Sequence, residues 1–273
     1  MPRTIRSSRT DVAFNVVIPA RYASTRLPGK PLLDIGGRPM IQRVLERALA
    51  SGARRVVVAT DDARIAAALG DPGGGSAVTA VMTDPDLPSG TDRVAAAAAK
   101  LGWDEGTVVV NVQSDEPFMP PALIAQVAEL LERDESAGIA TLATPIGSLE
   151  EFLDPNVVKV VAAEGGDALY FSRAPIPWTR DGAAGQLEIG DAMRHVGIYA
   201  YRVGTLRRIT RLPPSSLERR EKLEQLRALQ NGIRIVVAAC RVPPGSGVDT
   251  ARDLQRAREL AAGPGVGCPG ENA

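Results

Sequence analysis

Short apolar runs alternate with amphipathic stretches from residue 14 onward. Residues 14–20 (FNVVIPA) are apolar and β-branched almost throughout, which predicts a strand buried on both faces. Residues 38–51 (RPMIQRVLERALAS) repeat apolar positions at helical spacing, with Pro39 at the start and Gly52 beyond the end, so a helix is predicted. The alternation recurs. Strand 55–60 (RVVVAT) precedes a short helix at 63–69, strand 77–82 precedes helix 90–101, and strand 107–112 (TVVVNV) precedes helix 120–133. Strands that are apolar on both faces and separated by helices belong to a parallel sheet covered on both sides. The expected fold class is therefore α/β, a doubly wound, mainly parallel sheet.

From about Thr144 the rhythm breaks. Residues 156–161 (NVVKVV), 168–171 and 194–201 read as strands with no helix between them. Helices at 203–211 and 217–231, a strand at 233–240 and a closing helix at 251–262 then restore the alternation. The expected organisation is one α/β domain over 14–262. It carries a β-rich insertion at about 144–201, suited to covering a substrate or forming a dimer face. A disordered arm is expected at 1–13 and a loose Gly/Pro tail at 263–273 (GPGVGCPGENA).

Composition narrows the classes of partner. Lys plus Arg is 32 and Asp plus Glu is 32, so the chain lacks the basic excess of a nucleic-acid binder. It has two cysteines, Cys240 and Cys268, and no CxxC. That implies neither a disulfide framework nor a zinc site and suits a reducing, cytoplasmic compartment. No stretch is long and apolar enough for a membrane span, and the basic start is not followed by an apolar segment of signal type.

In open parallel sheets, ligands bind beyond the carboxyl ends of the strands, so the loops there are where chemistry is sought. Residues 19–30 (PARYASTRLPGK) carry Arg21, Arg26 and Lys30 with Ser24 and Thr25. Cations and small hydroxyls between a strand and a helix make a triphosphate site, although the loop is neither a Walker A sequence nor GxGxxG. Residues 88–93 (PSGTDR) put Ser89 at a helix cap, Gly90 where a ligand can approach the backbone, and Arg93 as a further cation. Residues 113–117 (QSDEP) follow a buried strand. Asp115 suits magnesium, which shares carboxylates with substrate phosphates, and Glu116 suits capping of the helix near Pro120. Gln113 suits a base edge or a sugar hydroxyl. In GSGVDT (245–250), Asp249 reads first as the N-cap region of the following helix, and as a second acid only beside another acid. His195, the lone histidine, fits a structural role and leaves no serine-hydrolase triad. Glu218, Glu221, Glu224 and Gln225 lie on a helical stretch that is mostly solvated.

Taken in order, VIPARYASTRLPGKPL, VVVATDD, SGTDR, VVNVQSDEP, NVVKVV, ALYFSRAPIPW, RHVGIYAYR, LEQLR and PGSGVDT resemble the 3-deoxy-manno-octulosonate (Kdo) cytidylyltransferases over about residues 14–260. The resemblance implies a sheet of nucleotide-diphospho-sugar transferase type, a cytoplasmic homodimer, and a role in lipopolysaccharide biosynthesis. It implies CTP and Kdo as substrates, CMP-Kdo and pyrophosphate as products, and Mg²⁺ as cofactor. By position it assigns the nucleotide to Arg21, Ser24, Lys30, Ser89, Gly90, Arg93 and Gln113. It assigns the sugar to Gln113, Arg173, His195, Tyr199, Glu224 and Gln225, and the metal to Asp115 and Asp249. Lys30, Arg21, Asp115 and Asp249 are then the catalytic set. Ser114 departs from the usual glycine, and Leu87 stands where many relatives have histidine. Two rivals differ in sequence: sialic-acid enzymes carry a different first loop, and a nicotinamide enzyme needs a glycine-rich turn where this chain has PARYAS.

Overall fold

The computed structural model describes residues 12–23, 27–70, 78–180 and 189–262. Strand β1 (Phe14–Ala20) leads through a single helical turn at Lys30–Leu32 to a two-stranded hairpin, β2 (Asp34–Ile35) and β3 (Arg38–Pro39), and then α1 (Met40–Leu49). The predicted helix at 38–51 is shorter at both ends. Gly36 and Gly37, at φ 62° and 80°, turn the hairpin, and Pro39 is still extended at ψ 144°. Next come β4 (Arg55–Thr60), α2 (Ala63–Ala67), β5 (Val78–Met82), α3 (Gly90–Lys100), β6 (Val108–Asn111) and α4 (Pro121–Arg133), close to their predicted bounds.

The second half contains β7 (Ile139–Pro145), α5 (Leu149–Leu153), β8 (Lys159–Ala162), β9 (Ala168–Ser172) and β10 (Met193–Arg202). It ends with α6 (Val203–Arg211), α7 (Ser216–Glu221), α8 (Gln225–Gln230), β11 (Ile235–Ala239) and α9 (Ala251–Ala262). Strand β7 was not anticipated, although IATLA is buried throughout. The single helix expected at 217–231 is two. Ser215 and Glu218 form a capping box that starts α7, and Lys222, left-handed at φ 55° and ψ 44°, ends it.

The main sheet runs β11-β7-β10-β6-β1-β4-β5, with β8 and β9 added beside β10. β1 pairs in parallel with β4 and β6, and β11 pairs in parallel with β7. β10 is antiparallel to β6, β7 and β8, and β9 is antiparallel to β8, so the sheet is mainly parallel with β10 and β9 reversed. One face is covered by α1 and α4, which insert Ile41, Val44, Leu123 and Val127 against Val16 and Ile18. The other is covered by α3, α6 and α8, through Val94, Ala97, Leu206 and Leu226 against Val17 and Val109. At roughly 25 cal/mol per Å² of apolar area removed from water, these two layers supply most of the drive to fold. The strand ends they leave open carry the candidate loops.

Candidate active site

The carboxyl ends of β1 and β6 and the start of α3 surround a cavity of about 360 Å³. Arg21, Lys30, Ser89, Gly90, Arg93, Gln113, Asp115 and Glu224 line it. Ser24 and Arg26 lie outside the described residues.

Lys30 is the centre of the site. Its Nζ donates to Asp115 Oδ2 at 2.6 Å and to Asp249 Oδ1 at 3.1 Å. Local structure explains how it gets there. Gly29, left-handed at φ 66°, donates its amide to the Tyr22 carbonyl and lies under the Tyr22 ring, where an added Cβ would meet ring atoms at 3.2 Å. The Arg64 guanidinium stacks over the Tyr22 ring at 3.5 Å from its centroid, itself held by Asp62. The loop base is thus pinned while Lys30 points into the cleft. The acids meet because residues 244–248 run beside the QSDEP loop. Val248 donates to the Asp115 carbonyl at 2.8 Å, and Gly245 and Gly247 allow the approach: a Cβ at 245 would sit 2.2 Å from the Phe118 carbonyl oxygen. Asp249 is thereby presented to the site; the helix-capping bonds beside it are made by Thr250 and Asp253.

Glu116 does not cap α4. Its side chain turns under Gly247, where burial first, and then the charges of Asp115 and Asp249, push its carboxyl up to about 8. Ser89 both caps α3 through the Asp92 amide and donates to the Asp92 carboxylate at 2.7 Å. Arg93 reaches the cavity wall, but its guanidinium is bound to Asp61 at 2.9 Å and to Thr83.

A second cavity of about 190 Å³ shares Gln113 and Glu224 with the first and adds Thr91, Asn111, Tyr199, Tyr201, Lys222 and Gln225. Of the residues assigned to the sugar, Gln113, Tyr199, Glu224 and Gln225 therefore converge. His195 lies elsewhere, on a cavity of about 300 Å³ that it shares with Glu116 and Arg194. Its ring packs edge-on against Phe171, touches Tyr199, and pairs through Nε2 with the Thr141 hydroxyl at 2.9 Å. Burial pushes its pKa down to about 3, so it is a neutral imidazole and brings no charge to a carboxylate. Arg173 lines none of these cavities. Its guanidinium donates to the carbonyls of Glu221 and Pro155, and its amide donates to the Glu221 carboxylate.

The sequence reading passed over Asn111, Thr91, Tyr201 and Lys222. Asn111 had left a signal, a polar residue ending an otherwise apolar strand; it is 1% exposed and accepts from Gln113.

The sequence model of the cytidylyltransferase family matches residues 15–235. The chain belongs to this family. It is 56% identical to the 3-deoxy-manno-octulosonate cytidylyltransferase of Xanthomonas euvesicatoria pv. vesicatoria, over 93% of this chain and 98% of that one. To the 3-deoxy-manno-octulosonate cytidylyltransferase of Thioalkalivibrio sulfidiphilus it is 52% identical, over 91% and 99%. A solved CMP:2-keto-3-deoxy-manno-octonic acid synthetase complexed with CTP superposes with a TM-score of 0.82 at 43% identity, covering 92% of this chain and 98% of its own. The expected sheet type and the resemblance both stand on these matches.

Proposed function

We propose that the protein is a 3-deoxy-manno-octulosonate cytidylyltransferase, joining Kdo to CMP from CTP and releasing pyrophosphate, in lipopolysaccharide biosynthesis. One observation carries the reading: Lys30 sits between Asp115 and Asp249 at the mouth of a cavity formed by strand ends. The same two acids suit Mg²⁺. They are hard oxygen donors, one third and one half exposed, that already converge on one positive charge. Bound there with the triphosphate, the ion would supply charge neutralisation at the reacting phosphate.

The chain's own groups do the rest. The anomeric hydroxyl of Kdo attacks the α-phosphorus and gives up its proton to solvent, the bond to the bridging oxygen breaks, and pyrophosphate carries the electron pair away. Lys30, released from the carboxylates as the nucleotide arrives, and Arg21, exposed on the wall, offset the negative charge of the departing pyrophosphate. Gly90 and Ser89 bring the start of α3 against the nucleotide. Arg93, held by Asp61, contributes a fixed positive field. Gln113, at the junction of the two cavities, orients base and sugar, and Tyr199, Glu224 and Gln225 bind hydroxyls. His195 acts on the sugar side through its ring contact with Tyr199. Arg173 acts through the Glu221 segment that leads to Glu224.

The proposed assembly is a homodimer formed through the β-rich segment, where Leu169 and Trp178 are 60% and 63% exposed. The cytoplasm is the proposed compartment. No helix among the described residues is long and apolar enough to cross a membrane. Incubation with CTP, Mg²⁺ and either Kdo or N-acetylneuraminate, with pyrophosphate as readout, tests the reading. Release with Kdo and little with N-acetylneuraminate is expected; the reverse preference defeats the substrate assignment.

A further inference from the structure

Glu224 holds an unusual position. It is the N-cap residue of α8, yet its side chain makes no capping bond. The carboxylate instead turns to the wall between the two cavities and accepts the Thr91 hydroxyl at 2.5 Å. Thr91 is buried in the first turn of α3, and its neighbour Gly90 is seated against Pro19 and Gln113, at 3.5 and 3.7 Å from an added Cβ. The start of α3 therefore faces two ways. Ser89 and Gly90 border the larger cavity and Thr91 the smaller. The Tyr201 phenol lies against the same Thr91 hydroxyl, so the threonine is enclosed on both sides by polar groups of the smaller cavity.

We propose that Thr91 is a positioning residue, whose hydroxyl fixes the Glu224 carboxylate between the cavities and so sets the orientation of the acceptor sugar. The inference rests on assigning the smaller cavity to the sugar. A glutamate has three rotatable bonds, and a short charge-assisted bond selects one conformer among many. Among the described residues the Glu224 carboxylate has no other hydrogen-bond partner to replace it. Thr91 borders only the smaller cavity, whereas Glu224 borders both, so the larger effect falls on the acceptor.

The test compares Thr91→Val, which keeps the shape and removes the hydroxyl, with Thr91→Ser, Glu224→Gln and the Thr91→Val/Glu224→Gln double variant. KM is measured separately for Kdo and CTP, and CTP binding is titrated without sugar. Thr91→Val is expected to raise the KM for Kdo about ten-fold, as small misplacements of positioning groups do, with CTP binding nearly unchanged. Thr91→Ser restores the wild-type KM, and Thr91→Val adds less in the Glu224→Gln background, where the amide oxygen still accepts the hydroxyl but without charge. Full additivity, an equal loss for CTP and Kdo, or a wild-type KM in Thr91→Val overturns the proposal. If the wild type ignores Kdo but turns over another 2-keto acid sugar, the substrate assignment fails alone. The same four proteins then decide Thr91 with that sugar.

Discussion

The amide of Val248 donates to the carbonyl of Asp115 at 2.8 Å, and this bond joins two acidic loops that are far apart in sequence. Asp249 follows directly, so its place beside Lys30 and Asp115 depends on this bond. The approach is possible only without a side chain at 245; at 247 an added Cβ would meet the movable Glu116 carboxylate at 2.8 Å.

Gly245→Ala is therefore expected to damage the site through packing. The new methyl would lie 2.2 Å from a backbone oxygen, which cannot rotate away. Overpacking of this kind costs about 1–3 kcal/mol or more, or else the segment detaches and takes Asp249 with it. A lowered melting temperature, or lost turnover with an intact one, fits. Wild-type values of both would mean that the loops are not held at this distance.

Asp249→Asn isolates the charge from the scaffold. Asp249 is about half exposed on the rim, so its removal leaves the core untouched. Turnover at saturating Mg²⁺ is expected to fall at least about 100-fold, the usual scale for losing one electrostatic contact to a developing charge. The melting temperature should stay near wild type. Lys30→Ala is expected to weaken CTP binding much more than CMP binding, since only CTP offers the β and γ phosphates. Equal weakening of both nucleotides would move Lys30 away from the triphosphate.

Much of this site was legible because it sits in short loops after strands whose apolar runs are unmistakable, such as FNVVIPA and TVVVNV. Distance was not legible. Nothing local in GSGVDT says which loop it will lie against, so the roles of its glycines appeared only with Phe118 and Glu116 beside them. The break at Lys222 was hidden for another reason. LERREKLEQLRALQ has unbroken helical periodicity and no glycine or proline, and tertiary packing of Leu223 and Leu226 overrides it. β7 was missed because IATLATP sits where the βα rhythm stops. The family resemblance placed His195 and Arg173 with Tyr199 and Glu224, whereas β10 carries a bulge between Val196 and Tyr199 and His195 lines a different cavity.

His195 gives a pH signature. Its native pKa is depressed to about 3 by burial, whereas in the unfolded chain it is near its ordinary 6.5. The unfolded state therefore binds the proton first. The stability this residue confers is complete above pH 6.5 and is lost as pH falls towards the native value. The ring lines a cavity of about 300 Å³, and solvation on that side moderates the loss to about 1 kcal/mol between pH 6.5 and pH 5. His195→Gln removes the titration, so its denaturation midpoint should fall less than that of wild type over this interval. Parallel decline of the two proteins would show that the imidazole is protonated in the folded state.

The left-handed Lys222 yields the last prediction. At φ 55° its Cβ crowds the following carbonyl, a conformation that glycine adopts without penalty. The strain is tolerated because the turn ends α7, swings the chain, and delivers Leu223 to the core and Glu224 to the cavity boundary. Lys222→Gly relieves the crowding and, at this helix end, supplies the residue most often found there. Against this stands the extra freedom glycine gives the unfolded chain. The net expectation is a gain of about 0.5–1 kcal/mol, a rise of a few degrees in melting temperature for a chain of this size. Because Lys222 also lines the smaller cavity, the same variant should raise the KM for the acceptor sugar while leaving CTP binding unchanged. A more stable protein with weaker sugar binding would show strain kept at a substrate-facing turn for function. A fall in melting temperature would instead show that the lysine side chain contributes more to the fold than its backbone strain costs.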